Sequence, residues 1–128
     1  MGNKAQLTGI APQFVVPDVV RAAEFYRDKL GFEILGYFPD PPVYAMVRRD
    51  NAEIHFGKID DGGEMRFNES VREGLGSDVY IFVSDINSLY QEFAERGADI
   101  IEGPVKRIYD CVEITVKDCN GFLLVFGE

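Results

Sequence analysis

The sequence predicts an α+β fold built from two β-α-β-β-β modules in one chain, and three observations lead there. Residues 13–34, QFVVPDVVRAAEFYRDKLGFEI, and residues 80–101, YIFVSDINSLYQEFAERGADII, carry the same pattern twice. In each copy an apolar, strand-like run meets an aspartate and then a stretch of helical periodicity that stops at glycine. Three further strand-like runs, separated by turn residues, follow each helix.

The first module opens on Phe14-Val15-Val16 and reaches Asp18, whose carboxylate suits the orphan N–H groups of a helix start. Val19, Ala22, Ala23, Tyr26 and Leu30 then draw one apolar stripe, and Gly31 follows as the left-handed stop. Strands are expected at Phe32–Phe38, Val43–Arg49 and Ala52–Ile59, broken by Pro39-Asp40-Pro41-Pro42 and by Asp50-Asn51. In the second module Ile81-Phe82-Val83 leads to Asp85. Ile86, Leu89, Tyr90 and Phe93 follow at helical spacing, and Gly97 ends the helix. Its strands are expected at Asp99–Glu102, Cys111–Lys117 and Phe122–Gly127, with a Gly103-Pro104 loop and a tight turn at Asp118–Gly121 in which Asn120 and Gly121 take positive φ. The polar connection DDGGEMRFNESVREGLG leaves room for a short helix around Glu69–Glu73. One domain spans 1–128: module one about 6–60, a linker about 61–76, and module two about 77–128.

A net charge of −9 spread along the chain repels phosphate backbones, which argues against a nucleic-acid partner and favours cationic small molecules. No apolar run reaches the length of a membrane span and no signal pattern opens the chain, so the expectation is a cytoplasmic protein without a membrane partner. Cys111 and Cys119 fall too far apart along the last hairpin for a disulfide and are expected as free thiols. Phosphate-binding glycine loops, G-x-S-x-G and C-x-x-C are all absent from the sequence.

Paired modules of this kind, with FYRDKLGFEI at the end of the first helix and VKDCNGFLLVFGE at the C-terminus, resemble the vicinal oxygen chelate superfamily of glyoxalases, bleomycin-resistance proteins and extradiol dioxygenases. The resemblance covers Thr8 to Phe126 and implies curled mixed sheets around an open groove. Its metal-dependent members carry ligands on the first and last strands of each module. Carried over residue by residue, those positions fall on Ala11, His55, Asp78 and Val125. Alanine and valine offer no donor atom, so only His55 and Asp78 stand as metal candidates, with Gln13 one pleat from Ala11 as a further oxygen. No cofactor is expected, a divalent metal being the exception these two candidates leave open.

Period-two alternation assigns the groove face. Val79, Ile81 and Val83 belong under the helix, which turns Asp78, Tyr80 and Phe82 to the groove. Ile54 and Phe56 belong to the core, which turns Glu53 and His55 outward, and Glu113 faces the same way on its strand. The expected lining is Gln13, Tyr44, Met46, His55, Asp78, Tyr80, Phe82 and Glu113, with His55 and either Asp78 or Glu113 as a base pair should they meet. Aromatic walls and carboxylates suit a cationic or aromatic ligand. The expected function is therefore metal-free small-molecule binding, similar to the bleomycin-resistance type, in a homodimer. The alternative is a glyoxalase-like lyase or dioxygenase with a partial ligand set.

Overall fold

A computed structural model describes residues 4–74 and 76–128; Met1–Asn3 and Leu75 of the linker lie outside the described residues. The chain runs β1 (Gln13–Val16), α1 (Val19–Leu30), β2 (Glu33–Phe38), β3 (Tyr44–Arg49), β4 (Ala52–Lys58), a 3-10 turn (Asn68–Ser70), β5 (Val79–Phe82), α2 (Ile86–Arg96), β6 (Asp99–Lys106), β7 (Val112–Lys117) and β8 (Leu123–Gly127). This is the α+β, twofold β-α-β-β-β arrangement that the repeat predicts. No helix among the described residues is long and apolar enough to cross a membrane.

Each module forms a mixed four-stranded sheet, ordered β1-β4-β3-β2 in the first and β5-β8-β7-β6 in the second. The first and last strands of a module pair in parallel, and the other pairs are antiparallel. The helix starts form as their sequence dictates. Asp18 accepts from the N–H groups of Val20 and Arg21, and Asp85 from that of Ser88, while Gly31 and Gly97 close the helices at φ 74° and 77°.

Alternation sets the core. Phe14, Val16, Ala45, Val47, Ile54 and Phe56 face α1, and Ile114, Val116, Leu124 and Phe126 face α2. The two halves share one apolar cluster, in which Phe14 of β1 stacks on Phe122 with ring centroids 4.5 Å apart. The helices also meet through charge. Arg49 grips Glu92 with both terminal nitrogens, at 2.9 and 2.7 Å, and donates to the Leu30 carbonyl at 2.8 Å, while Arg96 donates to Glu92 at 2.7 Å.

Several elements depart from expectation. The linker forms a 3-10 turn at Asn68–Ser70 in place of a helix at Glu69–Glu73. Gly103-Pro104 does not end β6, which continues to Lys106 through register shifts on either side of Glu102. As an edge strand, β6 tolerates the missing proline donor. Gly103, at φ 100°, lets the β7 backbone come so close that a Cβ would run into the Glu113 carbonyl. In the β7–β8 turn Gly121 alone takes positive φ, because the Asp118 carboxylate builds the turn by accepting from the N–H groups of Asn120, Gly121 and Phe122.

Candidate functional site

On the first sheet, Gln13 of β1 and Met46 of β3 both stand level with His55 of β4, on the face turned away from α1. Tyr44 and Glu53, each two residues along its own strand, share that face. The Gln13 amide donates to the Tyr44 phenol at 3.2 Å. His55 meets that phenol through Nδ1 at 2.8 Å and the Glu53 carboxylate through Nε2 at 2.6 Å. The face assignments for Gln13, Tyr44, Met46 and His55 therefore hold, and the partner of the imidazole is Glu53, neither Asp78 nor Glu113.

On the second sheet, Tyr80 crosses Gly127, where any Cβ would collide with its phenol, and donates to Glu113 at 2.7 Å. Tyr109 donates to the same carboxylate at 2.6 Å and Arg107 Nε at 3.0 Å, with Arg107 reaching on to Glu102. Burial alone raises the Glu113 pKa, but hydrogen bonds from Tyr109, Tyr80 and Arg107 overcome it and hold the carboxyl below its ordinary value. Tyr80 is pushed up by burial and by its bond to Glu113. Glu113 lies on the predicted face but only 2% exposed, its oxygens committed to Tyr80 of β5 and to Arg107 and Tyr109 of the β6–β7 hairpin. Asp78 is likewise committed: its two oxygens accept from the backbone N–H groups of Asn68 and Leu123, tying the linker and β8 to the start of β5.

These contacts bear on the metal positions carried over from the resemblance. Ala11 and Val125 supply no donor, both ring nitrogens of His55 are hydrogen-bonded, and both oxygens of Asp78 accept backbone N–H groups. Among the described residues no group of three or more His, Cys, Asp or Glu side chains converges as a metal centre would require. This donor set does not fit the family's metal.

A cleft of about 750 Å³ lies between the modules. One wall is the outer edge of β5 with one side of α2, carrying Tyr80, Phe82, Asp85, Ser88 and Glu92; the other is the β3–β4 hairpin, carrying Arg49 and Glu53. Val79, Ile81 and Val83 are only half-buried because the cleft opens over this edge. Phe82 is 85% exposed, its ring 5.2 Å from that of Tyr80. Of the expected lining, Tyr80 and Phe82 reach this cleft. Gln13 and Tyr44 line a separate cavity of about 500 Å³ with Val43, Gly57, Lys58, Ile59, Asp60 and Asp61.

Arg107, Tyr109, Arg49 and Glu92 were not singled out by sequence. The one available signal was the Glu92–Arg96 spacing at i,i+4, which suggests a helical ion pair but not its reach into the other module.

The chain is similar in fold to TioX from Micromonospora sp. ML1 (TM-score 0.76, 17% identity, covering 94% of this chain and 98% of that one). It is also similar to the bleomycin-binding protein of Streptomyces verticillus, solved with copper(II)-bleomycin (TM-score 0.70, 20% identity, 96% and 97%). In sequence it is 32% identical over 99 residues to 4-hydroxyphenylpyruvate dioxygenase of Danio rerio; the match takes in 72% of this chain and spans a quarter of that relative's length. Residues 9–126 match the family model described as Glyoxalase/Bleomycin resistance protein/Dioxygenase superfamily, and with the twofold β-α-β-β-β fold this places the chain in that superfamily.

Proposed function

We propose that this protein binds a small cationic or aromatic molecule in the cleft between its modules, without a complete metal site. The cleft itself carries the reading: an aromatic side chain 85% exposed stands in a concavity whose walls also present Glu53 and Asp85. Apolar area supplies affinity there, and carboxylates beside aromatic faces select positive charge. Arg49 and Glu92 offset one another through their paired hydrogen bonds, which leaves Glu53 and Asp85 as the negative charge on the walls. The bleomycin-binding protein among the structural relatives is a small-molecule binder on the same fold, which supports the class of function and leaves the ligand open.

Calorimetry with copper(II)-bleomycin and with a flat cationic dye, an acridinium, tests the reading. Binding of either probe is expected to weaken by about 1 kcal/mol or more in Phe82→Ala and to fall with added salt. Heats indistinguishable from buffer for both probes, or affinity unchanged in Phe82→Ala, overturn it.

The likeness to a dioxygenase favours a second reading, a metal-dependent enzyme with a rearranged ligand set. It requires about one divalent metal per chain after metal-supplemented expression, lost in His55→Ala, and elemental analysis separates the two. Homodimerisation belongs to the same proposal. The edge of β5 is unpaired among the described residues, and Phe82 and Ile10 (83% exposed) both line the cleft beside it. Sedimentation at micromolar concentration is expected to return twice the chain mass.

A further inference from the structure

Asn120 is the one asparagine in the sequence that a glycine follows. With no side chain on Gly121 to obstruct it, the Gly121 backbone nitrogen can close on the side-chain carbonyl carbon of Asn120, the first step of deamidation. In the folded β7–β8 turn that nitrogen is withheld. Its hydrogen is shared between the Asp118 carboxylate, 2.9 Å from the nitrogen, and the Asp118 backbone carbonyl at 3.2 Å. The same carboxylate oxygen holds the N–H groups of Asn120 and Phe122 at 2.8 and 2.9 Å, and Tyr26 donates to its other oxygen. All these groups donate, which favours the ionised carboxylate, and a negative oxygen so near opposes loss of the Gly121 amide proton. Phe67 of the linker covers the turn, its ring 4.7 Å from that of Phe122 and in reach of any Cβ placed on Gly121. The Asn120 side chain is half-buried and less firmly held: its amide nitrogen reaches the Cys119 thiol, a weak acceptor, at 3.6 Å.

We propose that Asn120 is a deamidation site controlled by Asp118: the folded turn withholds the attacking Gly121 nitrogen, and release of the turn lets the reaction run. A bond forms from that nitrogen to Asn120 Cγ, and the bond from Cγ to Nδ2 breaks. The proton lost from the Gly121 nitrogen leaves through solvent with the amide as ammonia, and a five-membered succinimide remains. Water then adds to one of the two ring carbonyls and opens the ring to aspartate or isoaspartate. Nothing is oxidised or reduced, and water is the only co-reactant. The product fits the turn less well than asparagine. Isoaspartate puts an extra methylene into the main chain just before the Gly121 and Phe122 N–H groups that converge on one Asp118 oxygen. Either product also sets a new carboxylate two residues from Asp118. The anchor of the Tyr26–Asp118 bond is weakened. Because hydrolysis runs one way, each release of the turn can leave a permanent mark at this point.

The test incubates the purified full chain at neutral pH and follows position 120 by peptide mapping, with isoaspartyl methyltransferase labelling to count isoaspartate. Wild type unfolded in guanidinium chloride is expected to deamidate at Asn120 on the order of tenfold faster than folded wild type. Folded Asp118→Asn is expected to run severalfold faster than folded wild type, with circular dichroism confirming its fold. Arg49→Lys, weakened far from the turn, is expected to keep the wild-type rate. Equal rates in folded and unfolded wild type, no rise in Asp118→Asn, or a matching rise in Arg49→Lys overturns the proposal. A measurement that needs no variant is amide hydrogen exchange in wild type. Gly121 is expected to exchange more slowly than Gly62, which faces open space, and equal exchange overturns control by the turn. Deamidated chains, separated by anion exchange, are expected to melt below their parent; an unchanged melting temperature overturns the effect on the Tyr26–Asp118 bond.

Discussion

The phenol of Tyr26, wholly buried on α1, donates to Asp118 Oδ2 at 2.7 Å and so joins the first helix to the last turn, 92 positions away. Asp118 is 5% exposed, and its other oxygen already holds three backbone N–H groups of the β7–β8 turn. Burial raises its pKa despite those bonds. Removing the phenol leaves a buried carboxylate oxygen without a partner. Tyr26→Phe is expected to lower stability by about 1–3 kcal/mol in urea unfolding, and Asp118→Asn to lower it as well while the fold persists.

Acid should weaken the protein through Glu113 and Glu92. Burial raises the Glu113 pKa and its three donors lower it further than that, while the Arg49 guanidinium leads the lowering of Glu92. Both folded values thus lie below the unfolded one, so near the ordinary glutamate range of about 4.3 the unfolded chain binds more protons than the native one. Their stabilisation is present above that range and lost as pH falls through the folded values. Asp118, with its raised value, works in the opposite direction. Urea midpoints at pH 7 and pH 3.5 should differ less in Glu113→Gln than in wild type, although the variant starts lower.

How far the sequence alone reaches is plain at these residues. Alternation put Glu113, His55 and Tyr80 on the right faces, because strand periodicity is a local property. It could not show that Arg107 and Tyr109 fold back over Glu113, since that depends on where a hairpin tip lands. Asp78 was legible as a strand-start carboxylate, but its partner Asn68 arrives from a linker whose path no pattern sets. The cleft was illegible for a related reason: it arises from how two modules dock along the β5 edge, and docking is decided by packing between distant segments. The helix caps were read correctly because each depends on residues within one turn, and the repeat because its copies keep the same local periodicity.

Substitution at Gly103 should be far more harmful than at Gly62. Both have positive φ, 100° and 78°, but Gly62 faces open space whereas a Cβ at Gly103 meets the β7 backbone. Gly62→Ala is expected to cost about 1 kcal/mol and Gly103→Ala about 3 kcal/mol or more, read as shifts in melting temperature.

Arg49→Lys keeps the charge and loses the fork. A lysine cannot hold both Glu92 oxygens and the Leu30 carbonyl in the arginine geometry. A loss of about 1 kcal/mol is expected, together with faster amide hydrogen exchange at the C-terminal ends of α1 and α2.

Every hydrogen bond joining the two modules among the described residues starts or ends on a helix or on the β7–β8 turn: Arg49 to Glu92, Arg96 to the Asp28 carbonyl, Lys29 to the Arg96 carbonyl, Tyr26 to Asp118 and Arg21 to the Cys119 carbonyl. The molecule is bound like a book along its spine, with the cleft walls as facing pages. Turning one page a few degrees about that spine changes the gap between Phe82 and Glu53 without breaking a strand pairing, so the width of the cleft is governed by the stiffness of the spine.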